Sequence, residues 1–241
     1  MKVNYKRLAV IIPMLLIFLS ACEAHKDNIL NSQESIKTVY VKENNNYEPY
    51  LVITDNYNGN MLLLRKYLCN EQIYFSGEKS HGSNGGYYPC SHIDNYLNTE
   101  FLSLFSHEMQ EKIISSQIDV SALDSISGGG AIRNTEKISR KIFLLSATEL
   151  NIKSGMALRE GTPLKYFKDN KNVIAYTDDN TPQVQWLRSA YLWDDIQAWT
   201  IGCEGEYGGS SVSLEFYFRP AFCIDKNTNI TENNQKYYIE D

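Results

Sequence analysis

Two apolar stretches in the first third of the chain flank a group of turn residues in the way that β-hairpins do. Residues 50–54 read Tyr-Leu-Val-Ile-Thr, and residues 61–64 read Met-Leu-Leu-Leu. The segment between them contains Asn58 followed by Gly59, a pair that accepts the positive φ angles of a tight turn. The pattern therefore predicts a β-hairpin at this place in the chain.

A helical period follows, after a loop that is rich in turn residues. Apolar positions then repeat every three or four residues, which predicts a helix that begins after Ser91. These positions are Ile93, Tyr96, Leu97, Phe101, Leu104 and Phe105. Ser106 is suited to cap a second short helix, because a serine hydroxyl group accepts a backbone N–H bond at a helix start.

Three further apolar runs indicate strands, at residues 141–145, 185–189 and 212–218. The first of them leads directly into a capping-box pattern, in which Ser146 is followed three positions later by Glu149. That pattern predicts another helix immediately after the strand.

The amino terminus has the pattern of a secretory signal. A basic start precedes an apolar run at residues 8–19, which is shorter than the roughly 20 residues of a membrane-spanning helix. The run ends in Leu-Ser-Ala before Cys22, which resembles the lipobox of bacterial lipoproteins. By that resemblance we expect cleavage after Ala21 and acylation of Cys22, with chains such as palmitate. The domain would be extracytoplasmic, anchored to the cell membrane or to an outer membrane if the host has one.

These patterns divide the chain into four parts. Residues 1–21 form the signal peptide, 22–47 a lipid-anchored flexible tether, 48–225 a single globular domain and 226–241 a polar tail. A short strand near residues 38–41 that docks on the domain is the alternative for part of the tether.

The charge of the chain excludes some classes of partner. There are 23 Lys and Arg residues against 29 Asp and Glu. Three of the positive residues lie in the signal peptide, so the mature chain has a net charge of about −9. Nucleic acids and anionic lipids are bound through cationic surfaces, and we expect neither as a partner.

Four cysteines follow Cys22, an even number in a compartment where disulfides persist. Short local loops favour the pairs Cys69–Cys90 and Cys203–Cys223, while free thiols buried as small apolar groups stay open as the alternative. Neither these cysteines nor the histidines have the spacing of a zinc site, so we expect no metal and no cofactor.

Five segments occur in an order that resembles the bacterial domain-of-unknown-function 6273 family. They are residues 61–67, 93–101, 141–146, 186–189 and 218–221. The resemblance spans roughly residues 48–225, and the family, found on surface and secreted proteins, has no settled activity. The Trp-Leu-Arg-Ser and Arg-Pro-Ala segments also look like those of the C-type-lectin-like superfamily, which includes formylglycine-generating enzymes. That resemblance implies an α+β domain, with helices flanking a twisted antiparallel sheet.

Two groups of residues are candidates for special roles. Arg188 and Arg219 lie in apolar strands, where a guanidinium must be paired and hydrogen-bonded, so we expect structural roles for both. The second group combines aromatic rings, which stack on sugars, with carboxylates that accept hydroxyl protons. It consists of Tyr191, Trp193, Asp194, Asp195 and Trp199. The alternative is that its tryptophans fill the core.

No catalytic motif stands out. His107-Glu108 begins like a metalloprotease helix motif but lacks the second histidine, and no serine lies in a Gly-x-Ser-x-Gly elbow. The leading hypothesis is a non-catalytic binding module for a glycan, a cell-wall component or a surface protein. The alternatives are an enzyme with an unrecognised, possibly thiol-dependent, site and a structural component of an envelope complex.

Overall fold

The computed structural model describes residues 27–28, 38–76, 85–127 and 131–240, and most of its regular structure is β. Strand accounts for 41% and helix for 17%. The expectation of an α+β, C-type-lectin-like domain with helices flanking an antiparallel sheet is therefore wrong. The strands, in chain order, are β1 (Asp27–Asn28), β2 (Thr38–Glu43), β3 (Asn46–Tyr57), β4 (Asn60–Arg65), β5 (Ile73–Tyr74), β6 (Ser116–Ser121), β7 (Thr135–Arg140), β8 (Ile142–Phe143), β9 (Ala175–Tyr176), β10 (Pro182–Gln183), β11 (Gln185–Ala190), β12 (Gln197–Ile201), β13 (Tyr207–Ser211), β14 (Glu215–Phe216), β15 (Ala221–Ile224), β16 (Asn229–Asn233) and β17 (Lys236–Ile239).

The largest sheet has eight strands in the order β1-β16-β17-β2-β3-β4-β15-β8. Every neighbouring pair in it is antiparallel except β17 and β2, which run parallel. A three-stranded sheet, β11-β12-β13, carries the segment rich in tryptophan. Three two-stranded ribbons complete the described strands, namely β6 with β7, β9 with β10, and β5 with β14.

The helices are short. They are α1 (His92–Tyr96), α2 (His107–Lys112) and α3 (Leu123–Ser127), with a π-helical turn at Leu97–Phe101 and 3₁₀ turns at Tyr88–Cys90, Leu102–Leu104, Lys165–Lys168 and Asn170–Val173. In the described residues the longest α-helix therefore has six residues. Sheets, rather than helices, supply most of the surface that closes the core.

The predicted hairpin is confirmed. Strands β3 and β4 pair antiparallel up to Tyr57 and Asn60, and the two residues between them have positive φ angles, 53° at Asn58 and 88° at Gly59. A type of turn that matches the twist of the strands requires such angles at both central positions.

Both predicted helix starts are confirmed as well. The Ser91 hydroxyl accepts the backbone N–H of Asp94 at 3.1 Å, and the Ser106 hydroxyl accepts that of Met109 at 3.1 Å. The helix after Ser91 is not continuous, because it changes from α to π at Leu97 and then to 3₁₀ geometry.

The helix predicted after residue 145 does not form, although its capping box does. Ser146 N–H donates to Glu149 Oε2 at 3.0 Å, and Glu149 N–H donates to the Ser146 hydroxyl at 3.1 Å. The chain then leaves helical geometry, because Asn151 has a φ of 63°. A capping box satisfies only the first N–H groups of a turn, and it cannot extend a helix by itself.

The sheet extends beyond residues 48–225 at both ends. Strand β2 was assigned to the tether, apart from the alternative of a docked strand, but it lies between β17 and β3. Strands β16 and β17 were assigned to the polar tail and form a hairpin whose apolar side chains Ile230 and Ile239 are buried. Strand β1 also falls within the predicted tether, and it pairs with β16 at the edge of the same sheet.

The core surrounds the middle of the main sheet. All four residues of β15 are buried, as are five of the six in β4. The rings of Phe101 and Phe105 pack against Phe218 and Phe222, with centroid distances of 6.3 and 5.6 Å. The helical segment after Ser91 thus uses its apolar face to cover this part of the sheet.

Candidate functional site

The structure divides the predicted aromatic and acidic group between surface and core. Trp193 is 68% exposed, whereas Trp199 is 2% exposed and lies within β12. Tyr191 is half-buried, with its ring centroid 5.7 Å from that of Trp199. These five residues therefore do not form one continuous binding surface.

The two acidic residues of this group stabilise the loop. The Asp194 carboxylate accepts the Ile196 N–H at 3.2 Å and the Gln197 side-chain amide at 2.9 Å. The backbone carbonyl of Asp195 accepts the N–H of Gly86 at 2.8 Å. Asp194 thus closes a turn, as aspartates in turns commonly do.

Tyr191 and Trp199 position the segment of residues 151–159. The Tyr191 hydroxyl donates to Met156 Sδ at 2.6 Å, and Trp199 Nε1–H donates to the Met156 carbonyl at 3.3 Å. The Trp199 ring also packs beside Tyr207, with the ring centroids 5.8 Å apart. The sequence singled out these two aromatic residues, but it did not indicate the segment that they support.

That segment separates two adjoining cavities, which we call the Tyr207 cleft. Their volumes are about 630 and 350 Å³, and both are lined by Asn151, Ile152 and Lys153. Tyr207, 52% exposed, lines the smaller cavity, and Arg159 lines the larger. The cleft thus combines an exposed aromatic ring with amide, hydroxyl and cationic groups.

Arg188 lies inside the fold and is fully paired. Its guanidinium donates to both carboxylate oxygens of Glu149, at 2.6 and 2.9 Å, and to the carbonyls of Leu144 and Asp119 at 2.8 and 3.0 Å. Tyr57 donates its hydroxyl to the same carboxylate at 2.6 Å. The capping-box glutamate therefore also neutralises the buried arginine, which nothing in the local sequence indicated.

A second buried carboxylate, Glu160, lies close to this pair. It accepts the backbone N–H and the hydroxyl of Ser121, both at 2.6 Å, and the hydroxyl of Ser189. Burial raises the pKa of Glu160, while Arg188 and the serines act in the opposite direction. Sequence reasoning missed this residue, because it lies alone in a polar segment with no apolar period around it.

Arg219 is also buried but has a different environment. Its Nε–H donates to the Arg65 carbonyl at 2.8 Å, and the Tyr166 side chain is its other hydrogen-bonding neighbour. Burial lowers the pKa of Arg219 to about 10. Together with Lys66 and Lys171, it lines a cavity of about 240 Å³.

Neither predicted disulfide is present. Cys69, Cys203 and Cys223 have free thiols, and nothing is described of the Cys90 side chain. Cys69 and Cys223 are buried in the core cluster, and Cys223 belongs to the interior strand β15, so packing rather than cross-linking holds them. Burial raises the pKa of Cys223 to about 12 and that of Cys69 well above its ordinary value. Cys203, by contrast, is half-buried.

Several other predictions fall where the structure says little. Cys22 and the whole signal peptide lie outside the described residues. Among the residues that are described, no three His, Cys, Asp or Glu side chains come together as a metal site would require. Helices long and apolar enough to cross a membrane are likewise absent from that part of the chain.

Comparison with known families gives one match. Residues 58–226 match the family described as "Domain of unknown function (DUF6273)". The chain belongs to this family. The match starts at the hairpin turn and ends just after β15, so five strands of the main sheet lie outside the matched region, namely β1, β2, β3, β16 and β17. Searches among curated proteins and among solved structures found no match.

Proposed function

We propose that the protein is a lipoprotein, acylated at Cys22, whose DUF6273 domain is a non-catalytic, extracytoplasmic binding module. The basic start, the short apolar run and the Leu-Ser-Ala-Cys sequence support the anchor. Two or more acyl chains on one residue give stable membrane attachment, at about 0.8 kcal/mol for each buried methylene. The ligand is a glycan or another cell-wall component.

The observation that carries the binding role is the Tyr207 cleft. A half-exposed tyrosine at its side offers an aromatic face, and Asn151 and Asn170 offer amide donors and acceptors. Binding sites for small ligands combine apolar or aromatic walls with a few polar groups that fix orientation. Two cavities that meet along residues 151–153 suit a ligand with successive units, such as a sugar chain.

The supports of the cleft explain why its shape would persist without a ligand. Met156 accepts hydrogen bonds from both Tyr191 and Trp199. The Arg133 guanidinium donates to the carbonyls of Gly155 and Ala157, each at 3.1 Å. A preformed site loses less conformational freedom on binding, which favours affinity.

A glycan array probed with the purified full chain, kept in neutral detergent, tests the binding role. We expect Tyr207→Ala to lower the affinity for any bound glycan about tenfold, since an anchoring aromatic ring contributes more than about 1 kcal/mol to binding. Tyr47→Ala is the matched control, because Tyr47 is 51% exposed and also packs against one aromatic ring, that of Tyr238. No glycan bound by folded protein, or equal loss in both variants, would contradict the proposal.

Metabolic labelling with a palmitate analogue tests the anchor separately. We expect labelled protein from the full chain and none from Cys22→Ala. Cys203→Ser serves as the control, because it removes a half-buried thiol of the described domain and leaves the signal region unchanged. Label that survives in Cys22→Ala would contradict the lipoprotein assignment.

One observation favours a protein ligand as a second candidate. Trp193 and Ile196 are exposed, and the Ile196 carbonyl accepts the N–H of Val212, which brings the exposed Leu214 into the same region. Exposed apolar groups that lie together are typical of protein interfaces. Co-purification of a surface protein that is lost with Trp193→Ala, but kept with Tyr207→Ala, would support this candidate.

A further inference from the structure

The cavity beside Arg219 has a composition unlike the rest of the molecule. We call it the Arg219 pocket. Three cationic side chains line it, those of Lys66, Lys171 and Arg219. The other polar lining groups are the three phenols of Tyr67, Tyr166 and Tyr176 and the amides of Asn172 and Asn180. Within the described part of the chain, no carboxylate lines the pocket, although the protein has more acidic than basic residues.

The guanidinium of Arg219 differs from the other buried or half-buried guanidiniums in its lack of a carboxylate partner. Arg188 pairs with Glu149 at 2.6 Å, Arg140 with Asp94 at 2.7 Å, and Arg65 with Glu43 and Glu48. For Arg219, no carboxylate of the described residues lies within ion-pair distance. Its exposed fraction is only 7%, so water compensates little of the charge.

A buried cation without a counter-ion is costly, because the interior solvates charge poorly. The Arg65 carbonyl satisfies one of its five N–H groups, at Nε. Among the residues that the structure describes, Tyr166 is the only side chain that acts as a further partner. The remaining N–H groups belong to the planar end of the guanidinium, which is the end that binds carboxylates and phosphates through two parallel hydrogen bonds.

We propose that the Arg219 pocket binds an oxyanion, a carboxylate or a phosphate, carried by a small ligand such as an acidic sugar. Arg219 contacts the anion from inside, and the two lysines attract it from the pocket mouth. Lys66 and Lys171 are exposed, so they act without the cost of burial. The tyrosine rings contact the uncharged part of the ligand. The volume of about 240 Å³ is below the usual range for complete small ligands, which restricts the occupant to one charged group and a single ring.

This site is separate from the Tyr207 cleft, since the two share no lining residue. The proposal therefore holds or fails independently of glycan binding in the cleft. Substitutions in the Arg219 pocket should leave glycan binding in the Tyr207 cleft unchanged, and the reverse should also hold, so each set of variants is a control for the other.

The test is a calorimetric titration of the purified full chain, in neutral detergent and at low ionic strength, with four probes. Glucuronate and glucose 6-phosphate carry the two candidate anions, glucose carries none, and inorganic phosphate lacks the sugar. We expect saturable binding of at least one anionic sugar, none of glucose, and weaker binding as salt is added. Binding of glucuronate alone would identify the anion as a carboxylate. Binding of both glucose 6-phosphate and inorganic phosphate would identify it as a phosphate.

Variants separate a pocket effect from a folding effect. Lys66→Gln with Lys171→Gln removes the two surface cations, and we expect affinity to fall about tenfold, as loss of charge-assisted bonds worth about 1.4 kcal/mol would give. Lys165→Gln with Lys168→Gln is the matched control, because both lysines belong to the neighbouring 3₁₀ turn and line no part of the pocket. Arg219→Lys keeps the charge but loses the planar guanidinium, which donates two parallel hydrogen bonds, so it should lower the affinity further.

Two results would overturn the proposal. One is the absence of saturable binding of every anionic probe at millimolar concentration by protein that melts cooperatively. The other is binding that the pocket pair of substitutions and the control pair weaken equally.

Discussion

Removal of the charge on Glu149 should destabilise the protein strongly. In Glu149→Gln, the fully buried guanidinium of Arg188 keeps its two carbonyl acceptors but loses its only ion-pair partner among the described residues. The same carboxylate also accepts bonds from Tyr57 and from the Ser146 N–H, so the substituted amide would place an N–H₂ group against at least one donor.

The magnitude follows from the burial of both partners, each 0% exposed. Breaking a buried pair from one side costs about 3–5 kcal/mol, because the remaining charge is uncompensated. In a domain of this size each kcal/mol shifts the melting temperature by about 2–4 °C, so the expected loss is roughly 10 °C. Urea titration of the full chain in detergent, followed by tryptophan fluorescence, measures the free energy of unfolding.

The control is Asp119→Asn, which removes a surface ion pair. Asp119 accepts a bond from Lys137 Nζ at 3.0 Å, but the lysine side chain is 67% exposed. Such pairs contribute about 0–1 kcal/mol. If Glu149→Gln lowers the free energy of unfolding no more than Asp119→Asn, with an unchanged dependence on urea, the buried ion pair does not contribute the stability expected from its burial.

Three further predictions concern pH, backbone strain and thiols. Burial raises the pKa of Glu160 in the folded state above its ordinary value of 4.5, so the free energy of unfolding should fall as the pH rises from about 4.5 to the folded-state pKa. In Glu160→Gln this part of the pH dependence should disappear from urea titrations at a series of pH values. Gly59→Ala should lower the free energy of unfolding by about 1–2 kcal/mol, because its φ is +88° although nothing lies within 4 Å of an added Cβ. Gly208→Ala is the control, since this position is equally open but has no positive φ, and the substitution should be neutral or stabilising. Equal losses in the two variants would refute the argument from backbone strain. In the native protein Ellman's reagent should modify Cys203 first, and the buried thiols of Cys69 and Cys223 should react only after unfolding. Early modification that persists in Cys203→Ser would show that another thiol is accessible.

Local signals in the sequence were sufficient for local structure. Asn58-Gly59 identified the hairpin, and Ser91 and Ser106 identified two helix starts, because these depend on the residues of one turn. The burial of Arg188 and Arg219 was also expected from their apolar neighbours. The partners of the two arginines were not, since Glu149 and Tyr166 come from distant parts of the chain.

The errors have physical reasons of the same kind. Strands β16 and β17 contribute one buried isoleucine each, so their sequence has the composition of a tail, and only pairing with β2 makes them part of the sheet. The even number of cysteines suggested disulfides, but Cys223 lies in an interior strand and packs as an apolar group. The Tyr207 cleft and the Arg219 pocket each join segments far apart in sequence, which no short motif records.

The position of β2 between two strands has a consequence for release of the domain from a surface. Thr38–Glu43 pairs with β3 along six residues and with β17 on its other side. If the domain is anchored through Cys22, as proposed, cleavage ahead of Asp27 would release it with all eight strands of the sheet. A cut after Glu43 would instead leave β1 and β2 on the side of the anchor. The domain could then leave only by breaking the pairing of β1 with β16 and of β2 with β3 and β17. Release would therefore be easy for a cut ahead of the sheet and resisted for a cut after β2.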